Sequence, residues 1–516
     1  MRARNESTAR HAALVAVGIL LSRLIGLVRT RVFAHYFGLQ SDAADAFNAA
    51  FRIPNFLQNL FGEGVLSASF IPVYARLLAG GDEEESGRVA GAVGAILALT
   101  TSALVLAGVL ATPLLIDAIA PGFHGQKREL TIRIVRILFP GAGLLVLSAW
   151  CLGILNSHRR FLLSYTAPVL WNVAMIATLV GFGGRVDLPR MAVLLAWGSV
   201  AGSALQFGVQ LPVVRMLVRR LRFRLSNRPP EVADVLRNFG PVFVSRGVVQ
   251  ISAYIDALLA SLLPTGAVTG LTNAQLLYTL PVSLFGMSVS AAELPAMSSA
   301  LGGEAEIAAQ LRRRLESAAG RIAFFIVPSA VAFIAFGDVI TGALLQTGRF
   351  THADSVYVWG ILAAASIGLL ASTLGRLYSS TYYALRDTKT PLRFAIVRVL
   401  LTTVLGYVTA LPLGWGVAGL TGSAGVAGWV EFVLLRRGLH ARIGKASLAR
   451  VLLAKLWTAA LIAAAVGWGI RELIGRVHPL TAALAILAPY GAIYFAMTWL
   501  LKAGEGEGLA RRLLRL

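Results

Sequence analysis

Cysteine and acidic residues are scarce in this sequence, and several classes of protein are excluded by what is missing. The chain has one cysteine, Cys151, so neither an intrachain disulfide nor a thiolate metal cluster is expected. The 7 histidines are scattered, with no HExxH pattern, and no metal site is predicted. A Walker loop is also absent, because the Gly444-Lys445 pair is not followed by Ser or Thr. We therefore expect no nucleotide or metal cofactor.

Charged residues of any sign are few. They make up 14% of the 516 residues, against roughly 25% in ordinary soluble domains, while 57% of the chain is hydrophobic. Apolar runs long enough to cross a bilayer recur from end to end. The composition predicts an all-α integral membrane protein without a large soluble domain.

The hydrophobic pattern predicts fourteen transmembrane spans. Their approximate limits are 11–37, 44–79, 88–119, 130–156, 161–184, 188–218, 234–263, 268–300, 318–345, 353–384, 391–413, 416–437, 449–474 and 479–502.

The basic excess, 47 Lys and Arg against 25 Asp and Glu, gives a net charge of +22. A nucleic-acid role is disfavoured, because these residues cluster in short loops between apolar runs, as orientation signals do. The pattern predicts cytoplasmic N- and C-termini. Lys127 and Arg128 on the outer side, and the acidic run 82–85 on the inner side, oppose the pattern without overturning it.

A weak internal repeat suggests two homologous halves. "IPNFLQNLFGEGVLSASFIP" (53–72) parallels "LPVSLFGMSVSAAELP" (280–295), and "LNSHRRF" (155–161) parallels "LRDTKTP" (385–391). Six spans separate the copies, which predicts two six-helix lobes related by a pseudo-two-fold axis along the membrane normal. The predicted domains are 1–225, 226–440 and 441–516, the last holding two extra helices and a basic tail.

Arginines inside the spans are the most informative residues. If the first helix begins near Ala12, Arg23 lies roughly 16 Å along it, near the bilayer middle, where a cation costs at least ~2.5–3.5 kcal/mol. Arg23, Gly26 and Arg29 form one strip of that helix. On the next span, Arg52, Asn55, Asn59 and Glu63 fall within about 80° of one another on a helix.

Charged and polar residues in other spans extend this set. Span 7 carries Arg246, Gln250 and Asp256, span 8 carries Glu293, and span 10 carries Arg376. Several cations that share one cavity predict an anionic ligand, and guanidinium groups match phosphate bidentately. The alternative for any one residue is a structural partner or a side chain that reaches an interface. Breaks or hinges are predicted at Gly26, Pro54, Gly62, Gly64 and Pro281.

Longer motifs resemble a known family. "SRLIGLVRTRVFAHYFG", "DAADAFNAAFRIPNFLQNLFGEGVLSASFIPVYARLL", "LGILNSHRRF", "APVLWN" and "YALRDTKTP" resemble the MurJ (MviN) family of lipid II flippases, within the multidrug/oligosaccharidyl-lipid/polysaccharide exporter superfamily. The likeness runs in order from about residue 10 to 440.

The resemblance implies a transporter that moves lipid II, an undecaprenyl-diphosphate-linked disaccharide pentapeptide, from the inner to the outer leaflet by alternating access. It implies substrate contacts at Arg23, Arg29 and Arg52, acids at Asp45 and Glu63, and a groove for the lipid tail at spans 13 and 14. It also implies a bacterial inner-membrane location and a role in cell-wall synthesis. We expect membrane lipids and lipid II as partners, the cell-wall synthesis machinery as a further one, and a monomer.

Two departures from the family stand out. The family often has Arg where this chain has Gln58, and often has charged residues in span 8 where this chain has "AQLLYTLP". Arg246 is a candidate replacement. With no ATP site, the energy source is expected to be the membrane potential, an ion gradient or consumption of the product on the far side. Asp256, Glu293 and Asp45 are the candidate ion or proton sites.

Three other function classes remain open at this stage. They are an exporter of another polyprenyl-diphosphate sugar or an ion-coupled drug antiporter, a membrane enzyme acting on lipid-linked sugars, and a non-transporting scaffold. A cationic drug would prefer an acid-lined cavity, an enzyme would need paired carboxylates at the membrane surface, and a scaffold has no use for charges inside spans.

Overall fold

The computed structural model describes residues 2–503 apart from 62–65, 67–68, 219–229, 300–302, 447–448 and 476, and it leaves the side chains of 2–17, 19, 54, 238 and 240–253 undescribed. The described part is helical throughout and contains no β-strand. The predicted all-α class is confirmed.

Seventeen α-helices and one π-helical segment make up the described chain. They are α1 (Arg2–Phe37), α2 (Asp42–Phe61), α3 (Ile71–Ala79), α4 (Glu83–Ile119), α5 (Gly125–Ser157), α6 (Phe161–Phe182), α7 (Leu188–Leu217), α8 (Pro230–Ser261), α9 (Ala267–Pro281), the π-helix (Val282–Met287), α10 (Ser288–Ser298), α11 (Glu304–Leu345), α12 (His352–Ser366), α13 (Leu369–Ala384), α14 (Lys389–Ala410), α15 (Gly416–Ile443), α16 (Arg450–Ile474) and α17 (Pro479–Leu500).

Each predicted span falls on one helix or on consecutive helices. The eighth span contains the π-helix and the tenth is bent between α12 and α13, while part of the second lies outside the described residues. α1 begins nine residues before the predicted limit, because the polar segment 2–10 contains no helix breaker. By length and composition, 10 of the described helices can cross a membrane, or up to 11 if the bent pair α12–α13 is one span. The chain is a multi-pass membrane protein, and the count of fourteen stays a prediction.

The chain separates into two compact units. Unit 1 comprises Met1–Val268 with Thr347–Phe350, and unit 2 comprises Thr269–Gln346 with Thr351–Leu516. In unit 1, α5 packs against α2, α4 and α7, and α6 packs against α1 and α7. α8 also lies in this unit, against α2, α3 and α4.

Unit 2 repeats much of this packing order. α15 packs against α12, α13 and α14, α13 packs against α10, and α11 packs against α12 and α13. Six predicted spans earlier, in unit 1, α7 packs on α5 and α6 as α15 packs on α12–α13 and α14. The α5–α2 and α5–α4 pairs correspond to α13–α10 and to the packing of α11 on α12 and α13. The packing supports the internal repeat, while the lobe boundaries at 225 and 440 and the symmetry axis stay predictions. α16 and α17 pack on each other and on α11.

The paired motifs "LNSHRRF" and "LRDTKTP" adopt the same helix-ending geometry. After α5 and after α13, an arginine takes a left-handed conformation, with φ of 57° at Arg159 and 59° at Arg386. The N–H of the next residue, Arg160 or Asp387, then donates to the carbonyl five residues back at 2.8 and 2.9 Å. This hydrogen bond closes the last turn of each helix as glycine-ended helices usually do.

A glycine pair sets the bend in the tenth span. α12 and α13 meet at 44°, and an added Cβ on Gly425 of α15 would lie 2.9 Å from the backbone nitrogen of Gly368 at the bend. Backbone atoms cannot rotate away, so this crossing requires a residue without a side chain at both positions.

We predict that Gly425→Ala lowers the free energy of unfolding by about 1–3 kcal/mol, through overpacking against Gly368. Gly428→Ala on the same helix is the matched control, because no atom lies within 4 Å of its added Cβ. Thermal unfolding of the purified protein in detergent measures both. Equal melting temperatures for the two variants would contradict the close crossing.

The second arginine-ended turn also has a pH-dependent element. The Asp387 carboxylate accepts hydrogen bonds from the hydroxyl and N–H of Thr390 at 2.7 and 3.0 Å and pairs with Arg442 at 2.7 Å. The Thr390 bonds, followed by Arg442, lower the pKa of Asp387 to about 2.

Because this pKa lies below that of an unfolded aspartate, the carboxylate stabilises the fold above about pH 4 and loses that effect as the pH falls toward 2. We predict that Asp387→Asn lowers the melting temperature at pH 7 and that the difference from wild type shrinks below pH 4. A difference that does not change with pH would show that charge is not involved.

Candidate functional site

Arg29 is the best-defined arginine of the predicted set. Its half-buried guanidinium lies 5.0 Å from the ring centre of Trp171 and 5.7 Å from that of Phe51, and Nη1 donates to Sδ of Met175 at 3.8 Å. Within the part of the chain that the structure describes, no carboxylate pairs with it. Aromatic faces attract the cation but leave its charge uncompensated.

Aromatic rings hold this arginine in position. Phe33, Phe47, Phe51 and Trp171 form a column with successive ring centres 5.5, 5.6 and 5.5 Å apart. Trp171 is fixed by donating its indole N–H to Ser199 at 3.1 Å. The column joins α1, α2 and α6, so the guanidinium of Arg29 is supported by rigid helices rather than a loop.

Arg52 lies one residue beyond Phe51 and has a carboxylate neighbour. Asp256 on α8 interacts electrostatically with it. The Tyr254 hydroxyl donates to the Arg52 carbonyl at 2.6 Å, and its ring packs edge-on against Phe56 at 5.4 Å. The predicted ion-site residue Asp256 therefore lies beside a predicted substrate residue, in unit 1.

The polar stripe on α2, which carries Arg52, Asn55 and Asn59, agrees with the predicted helix periodicity. The opposite face, with Ile53 and Leu57, is buried, whereas Asn55 and Gln58 are half-buried and Asn59 is exposed. The side chains of the stripe are thus available from one side of the helix.

Arg23 and Gly26 continue the strip that leads to Arg29 on α1. Arg23 is exposed and six residues from Arg29, about 9 Å along the helix, and Gly26 is half-buried between them.

Several predicted positions cannot be placed. Gly62, Glu63 and Gly64 lie outside the described residues, and the side chains of Pro54, Arg246 and Gln250 are also outside the description. Helix α2 continues through position 54, and α8 continues through 246 and 250. The roles predicted for these residues stay predictions.

Asp45 lies in a different setting from the arginines. It is 1% exposed, and Oδ2 accepts from Lys127 Nζ at 2.9 Å and from the Gly266 N–H at 2.8 Å. Lys127 also lies 3.1 Å from Asp42, which accepts from the Thr265 hydroxyl at 2.7 Å. The Thr265 bond, followed by Lys127, lowers the pKa of Asp42. These contacts bind the start of α2 to the first turn of α5 and to the loop before α9.

The same contacts explain the two cations that oppose the loop charge pattern. Lys127 is neutralised by Asp42 and Asp45, and Arg128 forms a two-pronged pair with Asp117 at 2.7 and 2.9 Å. Neither residue therefore presents an uncompensated charge.

In unit 2, the structure gives two of the predicted residues defined surroundings. Glu293 on α10 pairs with Arg321 and, at 3.4 Å, with Arg314. Pro281 ends α9, and the π-helix Val282–Met287 follows directly. Such π-helical turns concentrate at functional sites, which agrees with the hinge predicted at Pro281.

Sequence reasoning assigned no role to four residues that shape these sites. Trp171 and Met175 contact Arg29, Tyr254 links α8 to α2, and Lys127 neutralises Asp45. The "APVLWN" motif contains Trp171, and an aromatic residue opposite a membrane arginine was the available signal. Which helix faces α1 is not encoded in local periodicity.

Comparison with solved structures shows the class of protein that has this fold. A structure titled "Lipid II flippase MurJ, inward closed conformation" aligns with a TM-score of 0.77 at 23% identity, over 95% of this chain and 98% of that chain. An inward-facing multidrug resistance MATE transporter of the MOP superfamily aligns at 0.65 and 18%, over 85% and 100%. The chain has the fold of these multi-helix membrane transporters.

Sequence comparison identifies the family. The family model "Lipid II flippase MurJ" matches residues 33–487. The lipid II flippase MurJ of Burkholderia cenocepacia is 33% identical over 93% of this chain and 95% of its own. A probable lipid II flippase MurJ of Rhizobium meliloti is 30% identical over 96% and 88%. The chain belongs to the lipid II flippase MurJ family, which confirms the resemblance found in the sequence.

We predict that Lys127→Met destabilises the protein by about 3–5 kcal/mol, because it leaves the buried Asp45 carboxylate without its cation. A Lys127→Met/Asp45→Asn double variant should recover part of the loss. Arg128→Met is the neighbouring control and should change little, since its pair is more exposed. Denaturation in detergent measures all three, and similar losses for positions 127 and 128 would refute the difference.

Proposed function

We propose that this protein translocates lipid II, the undecaprenyl-diphosphate-linked disaccharide pentapeptide, from the inner to the outer leaflet of a bacterial cytoplasmic membrane. Its family membership supports this activity. The structural observation that carries the proposal is Arg29, a membrane-helix guanidinium held on aromatic rings without a carboxylate partner among the described residues.

The charge balance at Arg29 favours a phosphate ligand. A cation inside a membrane helix costs at least ~2.5–3.5 kcal/mol, and cation–π contacts return about 0.5–2 kcal/mol. The unfavourable free energy that remains is offset when an anion binds the guanidinium. A diphosphate offers two adjacent anionic groups, and a planar guanidinium can donate two parallel hydrogen bonds to such oxygens.

Neighbouring residues extend this site along the first two helices. Arg23 lies about 9 Å from Arg29 on the same helix, a distance suited to other parts of a large headgroup. Arg52 follows Phe51, which contacts Arg29, and Asn55, Gln58 and Asn59 add hydrogen-bonding groups on α2. The lipid tail remains in the bilayer.

Translocation is proposed to proceed by alternating access, with the π-helical segment after Pro281 as one bending point. Asp256 is the better of the two candidate coupling residues, because it interacts electrostatically with the proposed substrate residue Arg52. The proposed energy source is a cation gradient or the membrane potential. We further propose a monomer with both termini in the cytoplasm, which acts alongside the cell-wall synthesis machinery.

We predict that Arg29→Ala reduces lipid II translocation in proteoliposomes at least ~10-fold, because the diphosphate loses a charge-assisted donor. Arg29→Lys should retain part of the activity, since it keeps the charge but loses the bidentate geometry. Arg88→Ala is the control, because Arg88 pairs with Glu85 in the first turns of α4.

The readout is the rate at which labelled lipid II becomes accessible on the far leaflet, with equal insertion verified for every variant. Wild-type protein that leaves lipid II in place would refute the function. Normal translocation by Arg29→Ala would refute the role of this arginine.

A further inference from the structure

Unit 2 contains a second arginine cluster that sequence analysis did not assemble. Tyr278 on α9 shares a hydrogen bond with Ser372 on α13 at 2.7 Å. Arg376 and Arg398 both lie close enough to interact electrostatically with the Tyr278 hydroxyl. Ser372 and Arg376 are one turn apart, so they lie on the same face of α13.

The two arginines of this cluster differ in their partners. Arg398 on α14 pairs with Glu431 on α15 at 3.1 Å, where the glutamate is 12% exposed. Arg376 is exposed, and among the residues whose side chains are described it forms no ion pair. Two guanidinium groups and one carboxylate leave the cluster with one uncompensated positive charge.

Both arginines lie at similar depth. Arg376 precedes the end of α13 at Ala384 by eight residues, about 12 Å, and Arg398 follows the start of α14 at Lys389 by nine residues, about 14 Å. The short connection 385–388 joins these helix ends, so both depths are measured from the same side. An uncompensated cation this far inside a membrane segment faces water or an anion rather than lipid.

The helices that carry the cluster are held together tightly. An added Cβ on Gly286 of the π-helix would lie 2.3 Å from Cγ2 of Thr373, the residue after Ser372. The Tyr278–Ser372 hydrogen bond joins α9, which precedes the π-helix directly, to the adjacent residue of α13. A ligand would therefore meet preorganised donors, which lowers the ordering cost of binding.

We propose that Arg376, together with Tyr278 and Arg398, forms a diphosphate-binding site in unit 2. The chain has no charged residue in the segment 274–281 that carries Tyr278, and the neighbouring helices supply the cations instead. Arg376 is the primary anion contact because its charge is unpaired, and the Glu431 pair orients Arg398. This inference rests on the proposed function, whose substrate carries a diphosphate.

Binding of farnesyl diphosphate to the full chain in nanodiscs tests the site. Because Arg29 is proposed to bind the same chemical group, the titration is done in an Arg29→Ala background as well as in wild type. We expect Arg376→Ala to weaken binding about 10-fold in both, and Arg376→Lys to weaken it less. Arg393→Ala, an exposed arginine on α14 about 140° around the helix from Arg398, should stay within about 2-fold.

Thermal unfolding verifies that the variants are folded, and Arg376→Gln, which keeps much of the side-chain length, replaces the alanine variant if that one unfolds. Unchanged farnesyl diphosphate binding in the folded variant would overturn the proposal. The proposal would also be overturned if the folded variant lost phosphatidylglycerol binding but kept farnesyl diphosphate binding, because the site would then be one for ordinary anionic lipid. Failure of the wild-type protein to move lipid II would refute the proposed function instead. That outcome is measured by the translocation assay, independently of the change in farnesyl diphosphate affinity.

Discussion

A positive charge placed within a membrane helix must be balanced, and the way each arginine is balanced distinguishes structural from functional positions in this protein. Arg471 on α16 is balanced directly, by a two-pronged pair with Asp338, which is only 4% exposed. Arg29 has aromatic rings and a thioether in place of a carboxylate. The first arrangement is complete by itself, and the second is the one for which we propose an anionic ligand.

Interhelical hydrogen bonds and ion pairs hold the surrounding helices together. Tyr490 and Tyr494 on α17 donate to the carbonyls of Pro328 and Phe324 on α11 at 2.7 and 2.6 Å. With the Arg471–Asp338 pair, they attach the last two helices to α11 at several heights. The groove for a lipid tail that the family resemblance implies for these helices stays a prediction, but the helices that would form it are firmly anchored.

Local sequence signals predicted the positions of the helices well, and they predicted poorly which side chains contact each other. The apolar runs located the described helices, and the 3.6-residue period placed Arg52, Asn55 and Asn59 on one face of α2, opposite the buried Ile53 and Leu57. By contrast, the sequence groups Asp45 with the substrate residues, and it does not predict the contacts of Asp45 with Lys127 and the Gly266 N–H. That pairing joins residues 82 positions apart, which no local pattern specifies.

The sequence by itself determined the membrane class, the helical composition and the family, because hydrophobic length and multi-residue motifs are properties of contiguous chain. It also singled out Arg23, Arg29 and Arg52, since a cation within an apolar run is costly wherever the helix packs. Only the tertiary structure decided which charges are neutralised, because ion pairing depends on which helices become neighbours. That is why Glu293 proved to be paired, while Arg376 lies near Tyr278 without an ion pair among the side chains that the structure describes.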